Sequence, residues 1–140
     1  MFRTSILAAV FTIGCLSAAS AAMIQYQATL SGKSEVPPTA STGSGDVVAT
    51  LDTASKKLSY TMTYYGLTGP ATAAHFHGPA APGANAGVVV PWGTNPTSPH
   101  KGTATLTDQQ ESDLMAGKWY ANVHTKEHPG GEIRGQMTKQ

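Results

Sequence analysis

Apolar and polar residues alternate along most of this chain. Ile24, Tyr26, Ala28 and Leu30 are separated by Gln25, Gln27 and Thr29, the period-two pattern of a half-buried strand. Residues 46–51 repeat it, with Val47, Ala49 and Leu51 on one face. The clearest case is Leu58, Tyr60, Met62 and Tyr64 interleaved with Ser59, Thr61 and Thr63. Shorter runs at 72–77, 88–90, 102–106, 119–124 and 131–137 read as further strands. The segments between them carry turn chemistry. Ser31–Gly45, Gly78–Gly87 and Pro91–Lys101 are rich in Ser, Thr, Gly, Pro, Ala and Asn and predict loops. Asp52–Lys56 is a hairpin connection, Gly66–Pro70 a break, and His128–Gly131 joins the last two strands.

One segment has helical signals instead. Thr107 and Gln110 have the spacing of a capping box, Leu114 and Met115 give an apolar side, and Gly117 is a natural stop. This predicts a single short helix over 108–116. Seven or eight short strands with one helix predict an all-β antiparallel sandwich. Nothing alternates with long helices, which argues against a parallel α/β sheet.

The first residues carry a different pattern. Met1-Phe2-Arg3 is a short positive start, Ile6–Leu16 is apolar but too short to span a bilayer, and Ala19-Ser20-Ala21 fits a small-x-small cleavage rule. Residues 1–21 are expected to be a secretory signal peptide, leaving one domain over 22–140 with a periplasmic or extracellular destination. A lipid-modified Cys15 is the alternative, but Thr12 is a poor residue to open a lipobox. No later segment is long and apolar enough to cross a membrane.

Export changes the candidate chemistry. Cys15 is the only cysteine and leaves with the leader, so the domain has neither disulfide nor thiolate ligand. Zinc fingers, iron–sulfur clusters, cysteine nucleophiles and thiolate-bound blue copper are excluded. Removing Arg3 from the nine Lys+Arg leaves eight, against eight Asp+Glu. A neutral domain without a basic patch is a poor nucleic-acid binder.

What remains is histidine. His75 and His77 bracket Phe76 at the end of a predicted strand. In extended chain both imidazoles leave one face, with Cα atoms about 6.5–7 Å apart. His124 lies in a second predicted strand and supplies a third nitrogen. Imidazole suits copper, zinc, iron and nickel. The plain alternative is three polar residues on an open sheet face. His128, in the turn four residues after His124, is the candidate fourth ligand, against an exposed turn residue. His100, in a proline-rich loop, is a weaker candidate. Glu35, held extended next to Val36-Pro37, could accept a ligand N–H or simply anchor its loop.

Four motifs occur in order: Glu35-Val36-Pro37-Pro38, His75-Phe76-His77-Gly78-Pro79, Asn122-Val123-His124-Thr125 and Gly130-Gly131-Glu132-Ile133-Arg134-Gly135-Gln136. Together they resemble a CHRD domain, the module named after chordin and common in bacterial exported proteins. The resemblance covers about Ile24 to Met137. It implies an immunoglobulin-like, Greek-key β-sandwich and says little of activity.

The His-x-His pair with a later His is also similar to the copper site of Cu/Zn superoxide dismutases. There is no cluster for a separate zinc and no cysteine pair. By that likeness Arg134 would draw an anionic substrate. Read from the sequence alone, Glu132 and Arg134 more simply form an ion pair along one strand face. The leading expectation is an exported domain holding one metal ion, copper with zinc as the alternative, on His75, His77 and His124. The rivals are a metal-free module binding a protein or polysaccharide, and a copper-only dismutase.

Overall fold

The computed structural model describes residues 21–140. The expected signal peptide, except its last residue, and Cys15 lie outside the described residues. Among these residues nine strands, one α-helix and a 3-10 turn at Gly32–Ser34 are formed; the strands and the α-helix follow in order as β1 (Met23–Ser31), β2 (Ser44–Asp52), β3 (Lys57–Tyr65), β4 (Ala71–His77), β5 (Val88–Thr94), β6 (His100–Thr105), α1 (Asp108–Met115), β7 (Tyr120–Thr125), β8 (Ile133–Gln136) and β9 (Thr138–Lys139). The pairing is antiparallel throughout, in the order β5-β4-β7-β8-β1-β2-β3-β6, with β9 on β1. The all-β sandwich read from the pattern is therefore the observed architecture. Its two four-stranded halves join where β1 meets β8 at a single register pair, Ser31 with Arg134.

Alternation decides which face each strand buries. Tyr26, Ala28 and Leu30 of β1, Val47, Ala49 and Leu51 of β2, and Leu58, Tyr60 and Met62 of β3 all point inward. From the other half come Ala74 and Phe76 of β4, Trp92 of β5, Ala121 and Val123 of β7, and Ile133 of β8. Phe76 is fully buried. It meets Trp92 edge-on at 4.6 Å between ring centroids and Tyr60 at 5.1 Å. Truncating such a side chain costs about 3–5 kcal/mol. This contact matters for the site, because locking Phe76 inward sends His75 and His77 outward on the same strand.

The structure differs from the sequence reading in three strands; in one of them, β6, pairing with β3 begins at His100, inside the expected 91–101 loop. β5 runs through Pro91 to Thr94, where a loop was expected from Pro91. It is the terminal strand of the order, with no neighbour on one side, which is the place in a sheet where proline is tolerated. The run expected at 131–137 shortens to β8, and a further strand that the pattern did not predict, β9, follows at Thr138–Lys139. Met137 is buried between them and donates its N–H to the Trp119 carbonyl, after which the chain changes partner from β7 to β1. Helix α1 starts with the expected capping box: Thr107 Oγ1 accepts from the Gln110 amide, and Gln110 Oε1 accepts from the Thr107 amide. It ends one residue earlier than expected, with Gly117 at φ +71° just beyond.

Candidate metal centre

The site lies on the outer face of the β4–β7–β8 ladder, opposite the core. In register, His77 faces Tyr120, His75 faces Asn122 and Ala73 faces His124, while Asn122 also faces Arg134. One continuous polar face results: His75 and His77 on β4, Tyr120, Asn122 and His124 on β7, and Arg134 and Gln136 on β8. Beta-bulges interrupt the β4–β5 ladder on either side of His75–Phe76, a device often found beside functional sites.

His75, His77 and His124 converge. One ring nitrogen from each lies within 4.8 Å of the other two. His75 Nδ1 is 3.1 Å from His124 Nε2. His77 Nε2 and His124 Nε2 are each 3.0 Å from Asn122 Oδ1. The opposite nitrogen of two rings is fixed by backbone. His77 Nδ1 meets the Ala86 carbonyl at 3.0 Å, and His124 Nδ1 meets the Pro129 carbonyl at 2.9 Å. A carbonyl can only accept, so both Nδ1 atoms carry the proton and both Nε2 atoms present lone pairs to the centre. Orientation of this kind is how metal-binding imidazoles are held.

Electrostatics points the same way. Burial, then the neighbouring imidazoles His124 and His77, push the His75 pKa down to about 4. Burial also lowers that of His77. Neutral imidazole is the form that binds metal. His77 is buried, whereas His75 and His124 are half-exposed, so the centre opens on their side. Three imidazoles gathered in this way could hold a metal ion.

The other expected residues are placed differently. His128 is not in the converging group. Its backbone instead builds the turn, accepting from the Thr125 and Gly131 amides, and so positions the Pro129 carbonyl under His124. His100 packs near Tyr60 and Trp92, with ring centroids 6.3 Å from each. Glu132 and Arg134 do not pair. Glu132 is fully buried and accepts from Ser41 Oγ, the Thr68 amide, Thr68 Oγ1 and Thr125 Oγ1 at 2.5–2.8 Å. Burial opposes its charge, yet these hydrogen bonds win and hold its pKa below the usual range.

Arg134, 2 % exposed, donates to Asn85 Oδ1 and the Ala84 carbonyl, and its guanidinium lies 3.4 Å from the centroid of the Tyr120 ring. That ring in turn stacks on His77 at 4.8 Å. Glu35 is buried, with its pKa pushed up to about 7 by desolvation against the pull of the Arg134 charge. It sits behind Asn122, beside Gly131, and Oε1 makes no hydrogen bond.

A family model, the CHRD domain, matches residues 26–137. The chain belongs to the CHRD domain family. No curated protein matches it, and neither does any solved structure. Within this CHRD domain, the residues that sequence reasoning passed over are Asn122 and Tyr120. Both follow from period two on β7, which puts positions 120, 122 and 124 on one face. The Ala86 and Pro129 carbonyls carry no side-chain signal at all.

Proposed function

We propose that this CHRD domain acts outside the cytoplasm and holds one metal ion, copper in preference to zinc, on His75, His77 and His124. The observation that carries the reading is the pair of backbone carbonyls that turn two Nε2 lone pairs toward a shared centre. Copper is favoured because divalent affinity of a nitrogen site peaks there in the first row. Holding is favoured over dismutase chemistry. A redox copper would exchange single electrons with a small anion, and Arg134, the residue expected to steer one, is buried against Tyr120. Lys126 and Glu127, the exposed charges next to His124 in sequence, cancel each other.

The rival interaction module has its own support. An open groove of about 920 Å³ crosses the outer faces of β1, β2, β3 and β6, lined by Gln27, Thr50, Ser59 and Thr61 together with Val48 and Lys101. Elemental analysis of protein purified from the periplasm or medium separates the two. About one equivalent of copper supports the metal reading. Metal-free protein that also takes up none on incubation supports the module. Intact mass of the same sample tests export, with a mature start near Ala22 expected and a retained, lipidated Cys15 contradicting it.

A further inference from the structure

We infer that the side-chain oxygen of Asn122 is the fourth donor of the metal centre, making it an N3O set that selects a divalent ion over Cu(I). The inference rests on the metal reading and goes beyond it in naming the last ligand and the oxidation state.

Two donors bound to one ion at about 2.0–2.1 Å, at angles near 90–110°, stand roughly 2.9–3.4 Å apart. The chain of contacts His75 Nδ1–His124 Nε2, His124 Nε2–Asn122 Oδ1 and Asn122 Oδ1–His77 Nε2 measures 3.1, 3.0 and 3.0 Å. Every link has the spacing of adjacent ligands. The widest nitrogen separation is bounded at 4.8 Å, and a shared ion needs it below about 4.2 Å, so closure is a sub-ångström adjustment.

The orientation of Asn122 is built in. Its amide nitrogen faces Gly131 and Glu35, and a methyl group at Gly131 would lie 2.8 Å from Nδ2 and collide with Glu35 Oε1. Its oxygen faces two Nε2 lone pairs, because backbone carbonyls hold the protons of those rings on Nδ1. Three acceptor atoms directed at one another repel; a cation among them turns that repulsion into coordination. Asn122 is 3 % exposed, so water does not relieve the mismatch freely. A carboxamide oxygen is a hard donor, and it favours a divalent ion over soft Cu(I).

The test uses the full mature chain, loaded with Cu(II), Cu(I) or Zn(II). Asn122→Leu keeps the branched heavy-atom skeleton and removes the oxygen; Asn122→Asp keeps the oxygen and adds charge. Asn122→Leu is expected to lose at least about tenfold in Cu(II) and Zn(II) affinity. Its Cu(I) affinity should be unchanged, and the electron paramagnetic resonance spectrum of its Cu(II) form altered. Asn122→Asp is expected to bind Cu(II) at least as tightly as wild type, with shifted parallel g and hyperfine values, and it carries the test if Asn122→Leu fails to fold. Spectra and affinities of both variants matching wild type would overturn the inference and leave Asn122 as a polar neighbour of the rings with no bond to the metal. Wild-type protein that binds no metal would overturn the metal reading itself.

Discussion

His75 Nδ1 and His124 Nε2 meet at 3.1 Å, although the two residues are not partners across the β4–β7 ladder. His124 is opposite Ala73, and His75 is opposite Asn122. Diagonal neighbours on a sheet stand roughly 7–8 Å apart at Cα, within reach of long or aromatic side chains. The small Ala73 leaves that diagonal free. A bulkier residue there, as in Ala73→Leu, is expected to weaken metal binding while leaving the fold intact, because its side chain sits on the ligand face and not in the core. Isothermal titration with Cu(II), alongside far-ultraviolet circular dichroism, checks both halves of this expectation.

The pH dependence of the metal-free domain follows from His75. Its pKa falls from 6.5 to about 4 on folding, so the unfolded chain takes up a proton first as pH drops. The unfolded state then binds more protons across this window, and stability is lost as pH falls from about 6.5 toward 4. Glu35 acts oppositely in an overlapping range. Its folded pKa is raised to about 7, so it costs stability as pH rises from about 4.5. Wild type and His75→Ala must therefore be compared at each pH. Thermal melts in chelator should show the deficit of wild type relative to His75→Ala growing as pH falls, and a difference independent of pH would contradict it.

Glu132 is a structural anchor, and its removal should register in stability. Its carboxylate ties the loop at Ser41, the turn at Thr68 and the end of β7 at Thr125 to the start of β8. Glu132→Ala leaves those donors without an acceptor and should lower the unfolding free energy by roughly 3 kcal/mol or more. Its depressed pKa adds a second sign. The stabilisation is present above the unfolded value and is lost as pH falls through the folded one. Urea denaturation at neutral and acid pH measures both.

Gly131 has φ +126°, a backbone region open essentially to glycine. Gly131→Ala should cost about 1–3 kcal/mol in strain. It should also displace Asn122 and Glu35 and weaken metal binding by more than the loss of stability explains. Denaturation and metal titration on the same variant separate the two effects.

The strands and the three-histidine face were legible in the sequence for one physical reason. Burial on one side of a sheet imposes period two, and His75, Phe76 and His77 obey it with Phe76 in the core. His124 could be nominated but not located, since its diagonal meeting with His75 depends on ladder register. Asn122 was passed over because only imidazoles were weighed as ligands, although it shares the face of His124. Glu132 and Arg134 are two apart in sequence and looked like a pair on one strand, but β8 begins only at Ile133. Long-range partners at Ser41, Thr68, Asn85 and Tyr120 claim them instead, and no local pattern encodes those contacts. The continuation of β5 through Pro91 depended on its being a terminal strand, which only the sheet order reveals.

The central claim is that His75, His77 and His124 form one metal centre. Its most direct measurement is titration of the metal-free domain, residues 22–140, with Cu(II) and Zn(II) beside His75→Ala, His124→Ala and His100→Ala. The account predicts one equivalent bound by wild type and by His100→Ala, and affinity reduced at least about tenfold in His75→Ala and His124→Ala. Equal binding by wild type and His75→Ala would contradict it.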